Sequence, residues 1–243
     1  MRRHRVVGQE QAPAERVAAV VRERGAAQRA LVELVAATAF AALTAIGARV
    51  QVHLPFTPVP VTGQVFCVLL AGAVLGARLG FVSQVEYLAA GAAGLPVFAH
   101  GGGLPALLGP TAGYLIGFPI AAAVVGALAP PSPLPLVLRS EGASLLRRVA
   151  SAPPLQVWRG GKGGEGLGGP ARALTLLACL CGCAVIYLFG AAWYAVWVIV
   201  TAGAAGLPAV LAQSVYPFVL IDAAKAALAA GTAPVVRRRM PIS

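Results

Sequence analysis

The stretch LPFTPVPVTGQVFCVLLAGAVLGARLGFVSQVEYLAAGAAGLPVF, Leu54–Phe98, decides the fold. It holds two apolar runs, Val61–Ala77 and Leu79–Phe98, with Arg78 alone between them. Each run is close to the ~20 residues that a helix needs to cross a bilayer. The pair therefore reads as two successive spans, with Arg78 in their connection.

Working outward, three more apolar runs stand clear: Leu31–Ala48, Ala112–Ala129 and Ala173–Gly190. The remaining stretch, Ala191–Gly231, is too long for one span and contains Pro208 and Pro217. It divides into an aromatic-rich connection, Trp193–Leu207, and a sixth span, Val210–Ala230; a seventh, shorter segment dipping into the membrane is the alternative. Trp193, Tyr194 and Trp197 suit a membrane interface, where an amphipathic ring finds apolar and wet surroundings together.

Composition agrees. Of the 243 residues 58% are hydrophobic and 11% charged, with mean hydropathy +0.80. Soluble domains sit near 45–50% apolar and about 25% charged, so an ordinary soluble enzyme is excluded. Disorder is excluded too, because chains this apolar do not stay solvated.

The net charge is +11 and the isoelectric point about 10.6, values that usually raise nucleic acid as a partner. The placement of the charges gives a different reading. With six spans and the N-terminus inside, 17 of the 19 Lys+Arg fall on cytoplasmic segments. Arg49 alone lies outside and Lys225 lies within a span, the bias of the positive-inside rule. The expectation is an all-α integral membrane protein of six transmembrane helices with both termini cytoplasmic. Its surroundings are the lipid bilayer, and nucleic acid is not a partner.

Five segments follow. Residues 1–30 form a basic cytoplasmic N-terminal segment, in which Gln9–Arg29 reads as a short helix on anionic lipid or as a loose tail. No secretory signal peptide is expected, since the basic stretch before Leu31 is too long for an n-region. Residues 31–129 carry helices one to four, and 130–172 form a flexible Pro- and Gly-rich cytoplasmic loop. Residues 173–231 carry helices five and six, and 232–243 form a basic cytoplasmic tail. The loop contains RGGKGGEGLGG at Arg159–Gly169, yet the P-loop pattern G-x-x-x-x-G-K-[ST] is absent, so ATP hydrolysis by that route is not expected.

Cys67, Cys179, Cys181 and Cys183 lie in apolar runs and read as buried small hydrophobes. His53 and His100 share no metal-ligand spacing, and neither a metal nor a cofactor is expected. A charge inside a span costs on the order of 2.5–3.5 kcal/mol on insertion scales, which makes each one a candidate for function. The spans hold Glu33, Glu86, Asp222 and Lys225. Glu33 reads as lying at headgroup level, whereas Glu86 is deeper. Asp222, the sole Asp of the chain, stands at i, i+3 to Lys225, so on a helix the two share a face. Such a pair is either a packing clip or the polar head of a ligand site; a proton relay is a third possibility. The outer loops Leu54–Thr62 and Gly101–Gly113 are apolar and nearly uncharged. They read as a lid over a site open to the outside or as tight connectors.

At these residues the sequence resembles the BioY family, the biotin-binding S components of energy-coupling-factor vitamin transporters. The resemblance runs through Leu54–Gly80, EYLAAGAAGLPVFAHGGG (Glu86–Gly103), LLGPTAGYLIGF (Leu107–Phe118) and YPFVLIDAAKAALAA (Tyr216–Ala230). There are departures. Ala112 stands where the family usually has a second Gly, Leu220 and Ile221 where it usually has Pro-Gly, and the loop between spans four and five is longer.

The resemblance implies biotin as ligand, captured on the outer face. It also implies a transmembrane coupling (T) protein and two ABC-type ATPases as partners, and no catalytic residue in this chain. With biotin as ligand, Asp222 is expected to accept a ureido N–H and Lys225 to donate to the ureido carbonyl or the carboxylate, with Phe56, Phe98, Tyr114 and Tyr216 as apolar walls and Gln64 or Glu86 as further polar contacts. Docking to the coupling protein is expected from small residues of the first helix, Ala37, Ala41 and Ala45, whose i, i+4 spacing permits close helix approach. An S component for another small vitamin is the alternative within transport. A membrane-embedded enzyme lacks a plausible nucleophile, base or metal set.

Overall fold

The computed structural model describes residues 11–130, 169–203 and 206–240, and the side chains from residue 27 onward within them. The order is α1 (Gln11–Arg49), β1 (Gln51–Val52), β2 (Val61–Thr62), α2 (Gln64–Ala92), a 3-10 turn (Leu104–Leu107), α3 (Ala112–Leu128), α4 (Pro170–Ala202), α5 (Leu207–Ser214) and α6 (Val219–Arg239). Helices dominate because a backbone in hydrocarbon must satisfy its own hydrogen bonds. α1 from Ala27, α2, α4 and α6 are each long and apolar enough to cross a membrane, and α3 is a shorter apolar helix.

α2 is two spans, not one. Gly76 takes φ 81° and ψ 178°, a conformation that side chains oppose, and the helix folds back there. A Cβ added to Gly80 would lie 3.0 Å from the Gly72 Cα, a contact impossible along a straight helix. The limbs 64–75 and 77–92 are thus antiparallel, with Arg78 beside the turn. Counting each limb, the bundle has six membrane helices: α1, the two limbs, α3, α4 and α6.

Three expectations about boundaries change. α1 runs unbroken from Gln11 into the first span, so Gln11–Arg29 is continuous with that span and is neither a separate short helix nor a loose tail. The aromatic stretch at Trp193–Trp197 is helical, because nothing in it breaks α4 before Gly203, whose φ of 82° ends the helix. The sixth span is divided near Pro217, which has no N–H to give: α5 stops at Ser214 and α6 starts at Val219. The long loop expected at 130–172 falls almost wholly outside the described residues, as do residues 1–10 and 241–243.

The core lies between α2, α3, α4 and α6. Val68 and Leu69 meet Ala121, Ala122, Val125, Cys179 and Ile186, all buried. α6 brings Ala226, Ala229 and Ala233 to the same core, small residues that let its backbone come close. Cys67, Cys179 and Cys183 are buried as expected; Cys181 is exposed, because its position on α4 turns it outward.

One end of this bundle is clamped. The Arg237 guanidinium donates to the Ala73 carbonyl in the last turn before Gly76, and to the Pro130 carbonyl past the end of α3 at 3.4 Å. Both acceptors belong to helix C-termini, where carbonyls lack helical partners and a cation is favoured. The outer loops close the opposite end. Thr57 donates to the Gln213 carbonyl at 2.7 Å, Trp193 Nε1 to the Gly109 carbonyl at 2.9 Å, and Tyr114 to the Ser214 carbonyl at 2.5 Å.

Candidate ligand-binding site

Beneath those loops, at the end away from Arg237, a cavity opens in part to solvent. Its apolar walls include Val59, Val65, Phe98, Leu115, Phe118 and Phe218. Its polar groups are few: Thr62, Gln64, His100, Thr111, Tyr114, Tyr187, Asp222 and Lys225.

Asp222 organises the polar head. The break at Pro217 sets it in the first turn of α6, where a carboxylate is favoured by the helix N-terminus. It is 4% exposed. Lys225 Nζ donates to its Oδ1 at 2.7 Å, and the Tyr187 hydroxyl donates to its Oδ2 at 2.8 Å from α4. Both carboxylate oxygens are therefore occupied, by a cation on one side and a neutral donor on the other. Such an arrangement accepts N–H groups and donates N–H to a carbonyl or carboxylate within one turn of helix.

Gln64 and Phe98 are held from behind. Gln64 Nε2 donates to the Tyr87 hydroxyl at 2.5 Å, and that hydroxyl donates to the Val97 carbonyl at 3.2 Å. The Phe98 ring packs edge-on to Tyr87, 5.4 Å between centroids. It also covers Gly91 so closely that an added Cβ would collide with the ring.

Of the eight ligand residues expected from sequence, the cavity gathers five: Asp222, Lys225, Tyr114, Phe98 and Gln64. Three lie elsewhere. Phe56 and Tyr216 are 57% and 63% exposed, because the loop and the break that carry them turn their rings outward. Glu86 faces α1 and accepts from the Thr38 hydroxyl at 3.0 Å, on the other side of its limb from the cavity.

The alanines of the expected docking stripe are turned inward in this structure. Ala37 and Ala41 are buried and Ala45 packs against the core, so this face of α1 is spent on α2 within the chain. Tyr187 escaped sequence reading. The signal was there, in a lone hydroxyl inside an apolar span, which needs a hydrogen-bond partner.

Residues 20–242 match the model of the BioY family. The chain belongs to the BioY family. The probable biotin transporter BioY of Lysinibacillus sphaericus is 52% identical over 99 residues, 41% of this chain and 50% of that protein. The biotin transporter BioY of Thermotoga maritima is 47% identical over 98 residues, 40% of this chain and 57% of that one. The chain spans about half the length of the curated BioY relatives it matches. In fold it is similar to the crystal structure of the S-component for biotin from an ECF-type ABC transporter, with TM-score 0.63 and 20% identity over 87% of this chain and 94% of that one. That likeness carries the fold alone. Family and apolar helices together make this BioY chain a multi-pass protein of the plasma membrane, from a family of transporters rather than enzymes.

Proposed function

We propose that this chain captures biotin from the outer side of the cytoplasmic membrane as the substrate-binding S component of an ECF transporter. The observation that carries the reading is the polar head Tyr187–Asp222–Lys225 at one end of an otherwise apolar cavity. Biotin has the matching distribution: a ureido ring with two N–H donors and one strong acceptor, an apolar sulfur ring, and a carboxylate tail. Asp222 accepts a ureido N–H while Lys225 turns from Asp222 to the ureido carbonyl. Gln64 and Thr62 stand within the same cavity for the remaining polar atoms. Phe98, Phe118 and Phe218 supply surface for the sulfur ring and the alkyl chain.

Orientation follows from charge. Arg78 and Arg237–Arg239 gather at the end opposite the cavity, which the positive-inside rule turns to the cytoplasm. Translocation then rests on other chains, a transmembrane coupling protein and two ABC-type ATPases.

The test is equilibrium biotin binding to the purified chain in detergent, beside Asp222→Asn and Lys225→Ala. Tight binding by the parent that both variants lose supports the reading. Binding that both variants keep moves the site, and a folded parent that ignores biotin ends the assignment.

A further inference from the structure

A hydroxyl carries one proton, and a buried amide can turn either its nitrogen or its oxygen to a given neighbour. Which way the polar groups of the cavity face therefore follows from where those protons go. Val97 lies in the loop past the end of α2, and its backbone carbonyl can only accept. The Tyr87 hydroxyl gives its proton to that carbonyl, at 3.2 Å. Toward Gln64 it has only lone pairs left, so Gln64 meets it with Nε2, at 2.5 Å. The amide is thereby locked with Oε1 turned the other way. Among the described residues nothing donates to that oxygen, yet it is not sealed in as the Gln84 oxygen is. The space it meets is the cavity, which Gln64 lines.

The other hydroxyls of the wall behave alike. Tyr114 gives its proton to the Ser214 carbonyl at 2.5 Å, and Tyr187 gives its own to Asp222 at 2.8 Å. What these groups and the Asp222 carboxylate leave for a ligand is acceptors. Lys225 supplies donors among them, and Thr62, Thr111 and His100 can act either way. A ligand that fills such a pocket has to bring N–H groups in more than one direction, because a buried acceptor left empty costs affinity.

We propose that Gln64 Oε1 receives the ligand N–H that Asp222 does not take, and that Tyr87 is the positioning residue which holds the Gln64 amide as an acceptor. The site then selects a cyclic urea with both nitrogens unsubstituted. That the urea is biotin rests on the function proposed above; the direction of the amide does not.

The test uses the full chain in detergent with three probes: biotin and its two mono-N-methyl derivatives, each lacking one ureido N–H. Kd for every probe is measured on the parent, Tyr87→Phe and Gln64→Met, with the thermal midpoint of each protein. Phenylalanine keeps a ring against Phe98 and removes the hydroxyl that fixes the amide. In the parent, both derivatives are expected to bind at least about tenfold more weakly than biotin, since each leaves a buried acceptor unpaired. Tyr87→Phe is expected to weaken biotin about tenfold. Its affinity for one derivative, the one lacking the N–H that faces Gln64, stays within about twofold of the parent's. Gln64→Met gives the same pattern, and it decides the matter should Tyr87→Phe fold poorly.

A tyrosine that merely supports the fold would weaken all three probes by one factor. A ratio of biotin to N-methyl affinities that stays parental in the folded variants therefore overturns the proposal, even where the absolute affinities fall. So does a parent that binds either derivative as tightly as biotin. A folded parent that ignores biotin is a separate result, read without any variant, and it overturns the proposed function and this inference together.

Discussion

The Tyr187 hydroxyl, on α4, donates to the Asp222 carboxylate, on α6, at 2.8 Å. Two helices far apart in sequence thereby fix one carboxylate, and Lys225 occupies its other oxygen. Tyr187→Phe removes a donor to a charged acceptor, an interaction worth about 1.5–3 kcal/mol. Biotin affinity is expected to fall about tenfold in this variant and about a hundredfold or more in Asp222→Asn. Isothermal titration of the two proteins in one detergent measures both.

Phe56 and Tyr216 serve as the contrast. Both rings point away from the cavity. Phe56→Ala and Tyr216→Ala are expected to leave biotin affinity within about threefold of the parent, as exposed positions generally do. A large loss in either would show that the ring turns inward when the ligand binds.

Gly91 tests the wall of the pocket from behind. A methyl group there meets the Phe98 ring, which also packs edge-on to Tyr87, one turn earlier on the same limb. Gly91→Ala therefore overpacks the site at a cost of about 1–3 kcal/mol. The expected readout is a lower thermal midpoint together with weaker biotin binding, since Phe98 also lines the cavity.

Gly76 tests the fold alone. Its φ of 81° with ψ of 178° lies where residues with a Cβ are strained by about 1–3 kcal/mol. Gly76→Ala is expected to lower the thermal midpoint and the yield of folded protein in detergent. The fraction that folds should bind biotin normally, because the turn is at the far end from the cavity.

Arg237 makes the same separation by chemistry. Arg237→Ala leaves the Ala73 and Pro130 carbonyls without their donor, a loss of about 1–3 kcal/mol. Thermal stability falls, and the biotin Kd stays within about twofold because the sites are distant. Scanning fluorimetry with and without biotin distinguishes the two effects.

The membrane class and the six-helix count were legible in the sequence because hydrophobic thickness and arginine placement are written as run lengths and charge counts. Asp222 and Lys225 were legible for a related reason, since charges stand out against apolar spans. Phe56, Tyr216 and Glu86 stand outside the cavity lining, which the sequence does not show, because facing depends on helix rotation and rotation is set by packing partners distant in the chain. Ala37 and Ala41 show the same limit: an alanine stripe permits close approach without saying which helix approaches. The boundary of α4 moved because aromatic residues are at home in a span as well as at its interface, and that of α6 because Pro217 interrupts the sixth span.

The limbs of α2 and the helix α3 are short. At 1.5 Å per residue, limb 64–75 rises about 18 Å and α3 about 25 Å, against a hydrocarbon layer of about 30 Å. The missing height is supplied by the outer loops, whose Val52, Phe56, Leu95, Leu104 and Leu108 are exposed and apolar. Their apolar exposure suits these loops to the outer leaflet more than to water. On the function proposed above, a vitamin arriving from outside meets the headgroups before it reaches the cavity. Leaflet thickness and headgroup charge thus belong to the capture step as much as any side chain does.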